Sequence, residues 1–239
     1  MFVGSAGLAA YALRTAWREP LAGIFGLLIA GSVLLARWYS RRRAQRLLRS
    51  GDVDGVLDRW SQTLQRVPHA ETMGPLMTAT AFAAYGWIDR AREVLSSAEK
   101  GPAWEAALEH RLFLDALLLT FEGDSSGALD RAARLSRLPV PATAPALIER
   151  IKVLRAAVAA LARAFAHDGH AGDRTLLIEA SDASPLVHWA MRYGAAIMAV
   201  DAGDFGHASS LIAAAPSWPS ESCFSRFHSE ITGEIARRK

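Results

Sequence analysis

The chain has 239 residues, a formal net charge of +3 and one cysteine, Cys223. A single cysteine excludes both an internal disulfide and a cysteine-cluster zinc site. The sequence pI of about 9.3 is typical of nucleic-acid binders. However, residues 1–50 hold eight arginines and one glutamate, a local charge of +7, which leaves −4 for the rest of the chain. A mildly acidic remainder suits a phosphate backbone poorly, so nucleic acid is not an expected partner.

The first predicted element is a membrane anchor. An uncharged apolar run extends from Leu21 to Ala36. It is followed by a cationic and aromatic flank, namely Arg37, Trp38, Tyr39, Arg41, Arg42 and Arg43. Such flanks are typical of the membrane interface, so the pattern predicts a transmembrane helix over residues 20–40. The run covers only about 24 Å of a hydrocarbon core about 30 Å thick, and a buried helix is the alternative.

Residues 1–19 form an apolar or interfacial segment before this helix. Their apolar part, residues 2–13, predicts an interfacial helix, or alternatively the first span of a helical hairpin. Cytoplasmic flanks of membrane helices are rich in arginine, and most arginines of the first 50 residues follow the apolar run. The charges therefore place the rest of the chain in the cytoplasm.

Small residues recur every four positions within the predicted membrane helix, at Ala22, Gly26 and Ala30. This spacing lets two membrane helices pack closely, and it suggests association of the helix with itself or with another membrane protein. The alternative is that alanine and glycine are simply common in this chain.

Residues 41–219 carry a helical repeat. Alanine and leucine at helical spacing dominate, and strand patterns are nearly absent. Glycines stand at positions 51, 86, 123, 169 and 203. Glycine ends a helix because it tolerates positive φ, and a following Asp or Ser caps the next helix. A small residue five positions after the glycine would then let two antiparallel helices approach.

The copy from Thr72 to Pro102 shows the pattern most completely. Its small, aromatic, turn, small, large, small and proline positions are Ala79, Phe82, Gly86, Ala91, Leu95, Ala98 and Pro102. In this order and spacing the chain resembles the tetratricopeptide repeat (TPR) family, whose unit is about 34 residues long. Leu135 and Arg174 depart from small-residue positions of the third and fourth copies.

The resemblance implies an all-α fold, with the N-terminal transmembrane helix followed by a short TPR-like α-solenoid of stacked helical hairpins. An irregular helical bundle is the alternative. The third and fourth glycines are 46 residues apart, and a long helical pattern from about Ala146 to Ala166 accounts for this spacing. Residues 220–239 place four large apolar residues on one face: Phe224, Phe227, Ile231 and Ile235. They predict an amphipathic helix that caps the open end of the stack.

The resemblance also implies a groove that binds other proteins and is lined by the first helix of each hairpin. The corresponding positions are Met73, Leu76, Thr80, His110, Phe113, Leu117, Tyr193 and Ile197. Because they are largely apolar, an apolar helix or extended peptide is the expected partner. The alternative is that these residues pack against one another.

Motifs for chemistry are scarce. His167, Asp168, His170 and Asp173 fall within seven residues and form a dense group of possible metal ligands. The same residue types are also common in turns, and we expect neither a metal nor a cofactor. No phosphate-binding loop, paired-histidine motif or nucleophile elbow occurs in the sequence.

These patterns predict a non-enzymatic, membrane-tethered adaptor or scaffold for protein–protein interactions at the cytoplasmic face of a bacterial inner membrane. The order of tail, span, arginine cluster and repeats resembles a bacterial lipopolysaccharide-assembly regulator that tethers tetratricopeptide repeats. That regulator's cysteine-ligated metal domain has no counterpart here. The alternatives are a periplasm-facing repeat protein that assists secretion or envelope assembly, and a helical enzyme.

Overall fold

The structure is a computed structural model that describes residues 20–98, 100–140 and 144–238, with side chains from residue 32 onward except at positions 41 and 62. All regular secondary structure in these ranges is α-helical, which confirms the all-helical prediction. The chain divides into two compact units, Met1–Arg46 and Leu47–Lys239.

Helix α1 (Pro20–Arg49) is 30 residues long. Within the described residues, no helix is long and apolar enough to cross a membrane. This finding corrects the transmembrane helix predicted at residues 20–40. The physical reason is that α1 continues without a break into the arginine-rich segment from Arg37 to Arg49. The apolar run before it measures about 24 Å along a helix axis, less than a hydrocarbon core of about 30 Å.

The predicted membrane flank lies on α1, where Trp38 and Tyr39 are exposed. The guanidinium carbon of Arg42 lies 4.0 Å from the centroid of the Trp38 ring, which is a cation–π contact. The side chains of Ala22, Gly26, Ala30 and Arg41 and the segment 2–13 lie outside the part of the chain that the structure describes.

Eleven further helices follow in the described residues. They are α2 (Val53–Leu64), α3 (Ala70–Ala84), α4 (Ile88–Ser96), α5 (Pro102–Ala106), α6 (Leu108–Glu122), α7 (Ser125–Arg137), α8 (Pro145–Phe165), α9 (Asp173–Ala183), α10 (His188–Asp201), α11 (Phe205–Ile212) and α12 (Cys223–Arg237). Helix α8 has 21 residues and lies within the 46-residue spacing noted in the sequence.

Most of these helices pair as hairpins across short turns: α3 with α4, α6 with α7, α8 with α9 and α10 with α11. The first helices of successive hairpins also pack against one another, α3 on α6, α6 on α8 and α8 on α10. Gly194 of α10 marks one close approach, because a Cβ there would lie 2.7 Å from Leu161 Cδ1 of α8.

The turns contain glycines with positive φ, at Gly51, Gly86, Gly123, Gly172 and Gly203. The residue five positions after each of these glycines is fully buried. These residues are Val56, Ala91, Ala128, Leu177 and Ala208. The fourth turn therefore differs from the expectation based on Gly169. Counting from Gly172 places Leu177 at the helix contact, while Arg174 pairs with Asp204 at 3.2 Å.

Candidate binding cleft beside the C-terminal helix

Helix α12 is amphipathic and begins at a side-chain cap. The hydroxyl of Ser222 accepts a hydrogen bond of 3.2 Å from the amide of Phe224, as an N-cap residue does. The four apolar residues expected on one face, Phe224, Phe227, Ile231 and Ile235, are all buried. The charged residues of the helix remain on its other face.

The start of α12 is held by the turn between α3 and α4. The Ser222 hydroxyl donates to the carbonyl of Tyr85 at 2.7 Å, and the amide of Cys223 donates to the carbonyl of Gly86 at 2.9 Å. A Cβ on Gly86 would lie 2.8 Å from Ser222 Oγ and 2.9 Å from Cys223 Sγ. Gly86 therefore serves both the positive φ of its turn and the close approach of α12.

From that turn, α12 crosses the first helices of three hairpins. The Phe224 ring centroid lies 5.4 Å from that of Phe121 on α6 and 5.1 Å from that of Tyr193 on α10. The Phe227 centroid lies 4.9 Å from that of Phe165 on α8, in edge-to-face geometry. The helix predicted to cap the end of the stack thus contacts several hairpins, not the last one alone.

A polar network joins α10 to the segment before α12 and to α12 itself. The indole of Trp218 donates a hydrogen bond of 2.7 Å to the Tyr193 hydroxyl. His228 Nδ1 lies 3.1 Å from the same hydroxyl. Burial raises the pKa of Tyr193 above its ordinary value, so this hydroxyl stays protonated at neutral pH.

A cleft of about 660 Å³ opens between α12 and the C-terminal ends of α6, α8 and α10. Its apolar surface comes from Phe121, Phe165, Ile197, Val200, Phe227 and Ile231. The volume falls within the usual range for ligand pockets, about 300–1,000 Å³. Residues from four helices that are distant in sequence therefore form one depression, whose lining combines apolar and polar side chains.

The rim of the cleft is charged, and its charges are largely paired. His167 Nδ1 lies 2.9 Å from an Asp201 carboxylate oxygen. On α12, Arg226 lies 3.7 Å from Glu230, and Glu234 lies within about 3 Å of both Arg237 and Arg238. At the opposite rim, Glu122 accepts two hydrogen bonds from Arg92 of α4, at 2.9 and 2.7 Å.

The residues predicted to line a partner groove are dispersed in the structure. Ile197 lines the cleft. Leu76, Leu117 and Tyr193 are fully buried, and Tyr193 lies beneath α12. The others are outside the cleft lining: Met73, Thr80 and Phe113 are half-buried and His110 is exposed.

Sequence patterns did not predict the polar part of the cleft. Arg226, Glu230 and Glu234 face it from α12, and their spacing of four residues was a usable signal for one exposed helix face. The partner face on α6, α8 and α10 carried no local signal, because it is formed by the ends of three helices far apart in the chain.

The group of possible metal ligands from His167 to Asp173 is held by protein contacts. Arg163 donates two hydrogen bonds of 2.7 Å to the buried carboxylate of Asp173, and the amide of His170 donates a third. The contact with Arg163 lowers the pKa of Asp173. Within the described residues, no group of three or more metal-ligating side chains comes together.

No protein-family model, curated protein or solved structure matched the chain. The resemblance to tetratricopeptide repeats therefore stays a prediction, based on the residues quoted above and on nothing external to the chain.

Proposed function

We propose that residues 47–238 form a TPR-like interaction scaffold that binds a partner protein in the cleft beside α12. The observation that carries the proposal is the cleft itself, an open depression with apolar and charged lining residues that is shared by three hairpins and α12. Protein interfaces have this composition, with apolar and aromatic side chains at the centre and polar groups around them.

Aromatic side chains favour binding over a purely structural role for this surface. Phe121, Phe165 and Phe227 meet at the cleft, and aromatic residues are enriched among those that dominate binding energy.

The charges of the rim support binding and not catalysis. His167 is hydrogen-bonded to Asp201 and Glu122 is paired with Arg92, so these side chains already have partners within the protein. A general acid or base needs a proton-transfer partner within reach of a substrate. We therefore infer a scaffold without chemistry of its own. The inner-membrane location expected from the sequence depended on the transmembrane helix corrected above, so it is not part of the proposal.

Site-specific photo-crosslinking in the native host tests the proposal. A photoreactive residue replaces Glu230, which is exposed on the cleft side of α12. The matched control replaces Glu179, an exposed glutamate on α9 that does not line the cleft. We expect discrete protein adducts from position 230 that are absent from position 179.

A second substitution separates a specific adduct from an accidental one. Ile197→Glu places a charge on the cleft floor and should abolish the adducts from position 230 without loss of helical circular dichroism. Equal adducts from positions 230 and 179, or adducts that persist in a folded Ile197→Glu protein, would refute binding at the cleft.

A further inference from the structure

Helix α12 is attached to the remaining helices mainly through side chains. In the described part of the chain, the amide of Cys223 makes the one backbone–backbone hydrogen bond from α12 to another element, at the turn carbonyl of Gly86. The helix satisfies its other backbone groups internally, as helices do. It could therefore leave the surface of α6, α8 and α10 on which it packs as an intact helix, and only this one backbone hydrogen bond to another element would break.

The segment that precedes α12 has the geometry of a tether. Residues 213–222 connect α11 to α12 without forming a helix, and Trp218 among them is anchored by its hydrogen bond of 2.7 Å to Tyr193. The four residues after this anchor, at positions 219–222, span up to about 13 Å when extended. This length allows α12 to move away from its seat while the chain before it keeps its position.

The seat of α12 and the cleft share residues. Phe121 and Phe165 contact Phe227 of α12 and also line the cleft. Phe227 and Ile231 belong to the cleft lining while they are buried against the hairpins. A ligand that fills the cleft and contacts Phe121 and Phe165 must therefore compete with these two side chains of α12.

We propose that this face of α6, α8 and α10 is a helix-binding site, and that α12 occupies it as a built-in ligand until an amphipathic helix of a partner protein replaces it. The inference rests on the proposed function and names the partner's structure. The pattern of α12 defines that helix, with large apolar residues at spacings of three, four and four, like Phe224, Phe227, Ile231 and Ile235. The first two positions are aromatic, because they meet Phe121, Phe165 and Tyr193.

The test uses α12 as its own probe. A labelled synthetic peptide of residues 220–239, with Cys223→Ser so that only the protein carries a thiol, is titrated into two full-length proteins. One is the wild type, and the other is Phe227→Ala/Ile231→Ala, whose own α12 is weakened. We expect saturable binding that is about tenfold or more tighter for the weakened variant. A control peptide that carries the same two alanine substitutions should not bind.

Cys223 reports whether α12 has left its seat. It is the single cysteine of the chain and lies at the first position of α12. Excess peptide should raise the rate at which a thiol reagent modifies Cys223 in the wild type several-fold, and the control peptide should not. This measurement needs only the wild type, so it decides the question even if the weakened variant unfolds.

Several results would overturn the inference. They are a folded weakened variant that does not bind the peptide, a Cys223 rate that does not respond to it, and a wild-type dimer that exchanges α12 between two copies. None of them contradicts a scaffold, because adducts from position 230 would still report a partner in the cleft.

Discussion

The indole nitrogen of Trp218 donates a hydrogen bond of 2.7 Å to the hydroxyl of Tyr193, and both side chains contact Phe224. Trp218 belongs to the segment before α12, and Tyr193 belongs to the first helix of the last hairpin. This bond therefore joins the C-terminal region to the repeats at the point where α12 begins its path across them.

Replacing Tyr193 by phenylalanine should weaken that junction. The indole of Trp218 would lose its acceptor and His228 its partner, and a buried donor without an acceptor costs about 1–3 kcal/mol. We expect the free energy of unfolding in urea to fall by this amount. The matched control is Tyr39→Phe at an exposed position, which should change it by less than about 0.5 kcal/mol. Equal effects at the two sites would show that the bond contributes nothing.

Two turn glycines separate the effect of φ from the effect of docking. Gly86 and Gly203 have φ of 78° and 73°, but only at Gly86 would a Cβ clash with Ser222 and Cys223. Gly203→Ala should cost about 1 kcal/mol, the left-handed penalty alone. Gly86→Ala should cost more, by about a further 1–3 kcal/mol from the forced contact. Thermal unfolding of both variants checks this, and equal costs would contradict the close approach of α12.

The buried pair of Arg163 and Asp173 should stabilise the fold through the carboxylate. Because the pair lowers the pKa of Asp173, its contribution is present above the unfolded value near 3.8 and is lost as pH falls through the folded pKa. Asp173→Asn should cost about 2 kcal/mol at pH 7 and flatten acid unfolding below pH 4. The matched control is Asp130→Asn, at an exposed position. If the stability of Asp173→Asn fell below pH 4 as steeply as that of the wild type, the assignment would be refuted.

His188 should destabilise the protein at mildly acidic pH. Burial, with Arg49 and Arg192 nearby, lowers its pKa, although the carbonyl of Ser181 and the charge of Asp182 oppose the shift. The neutral ring donates from Nδ1 to Ser181 at 2.9 Å. The unfolded state therefore binds the proton first, and stability should decline as pH falls below the ordinary histidine pKa of 6.5.

The size of this effect is set by one proton, at most about 1.4 kcal/mol for each unit of pKa difference. Urea unfolding between pH 7.5 and 5.0 should show a flatter dependence in His188→Gln than in the wild type. His110→Gln, at an exposed position, should keep the wild-type dependence. A His188→Gln protein with the wild-type slope would assign the acid sensitivity to another group.

The fold could be predicted from the sequence where its causes are local. A turn that needs positive φ favours glycine, so Gly51, Gly86, Gly123 and Gly203 marked four turns correctly. The fourth turn was misplaced at Gly169, because His167 and Gly172 both adopt positive φ there. A non-glycine residue in that region carries no sequence signal that separates it from an ordinary histidine.

The candidate site could not be predicted, because it depends on tertiary contacts. The spacing of Phe224, Phe227, Ile231 and Ile235 predicted the apolar face of α12. It did not predict which helices this face packs against. Phe121 and Tyr193 are 72 positions apart and meet the same side chain of α12. The membrane span was predicted from a short apolar run and from the arginine-rich, aromatic flank that follows it, and these two signals were not sufficient evidence for it.

Amide hydrogen exchange of the full-length wild type tests the central claim most directly, namely that α12 is a replaceable ligand on the face formed by the hairpins. We predict that residues 223–237 exchange through an opening of lower free energy than the buried amides of α6, α8 and α10, which remain protected. Denaturant dependence should show a smaller exposed surface for the opening of α12 than for global unfolding. If α12 exchanged only together with those helices, it would be an integral part of the core, and the claim would be wrong.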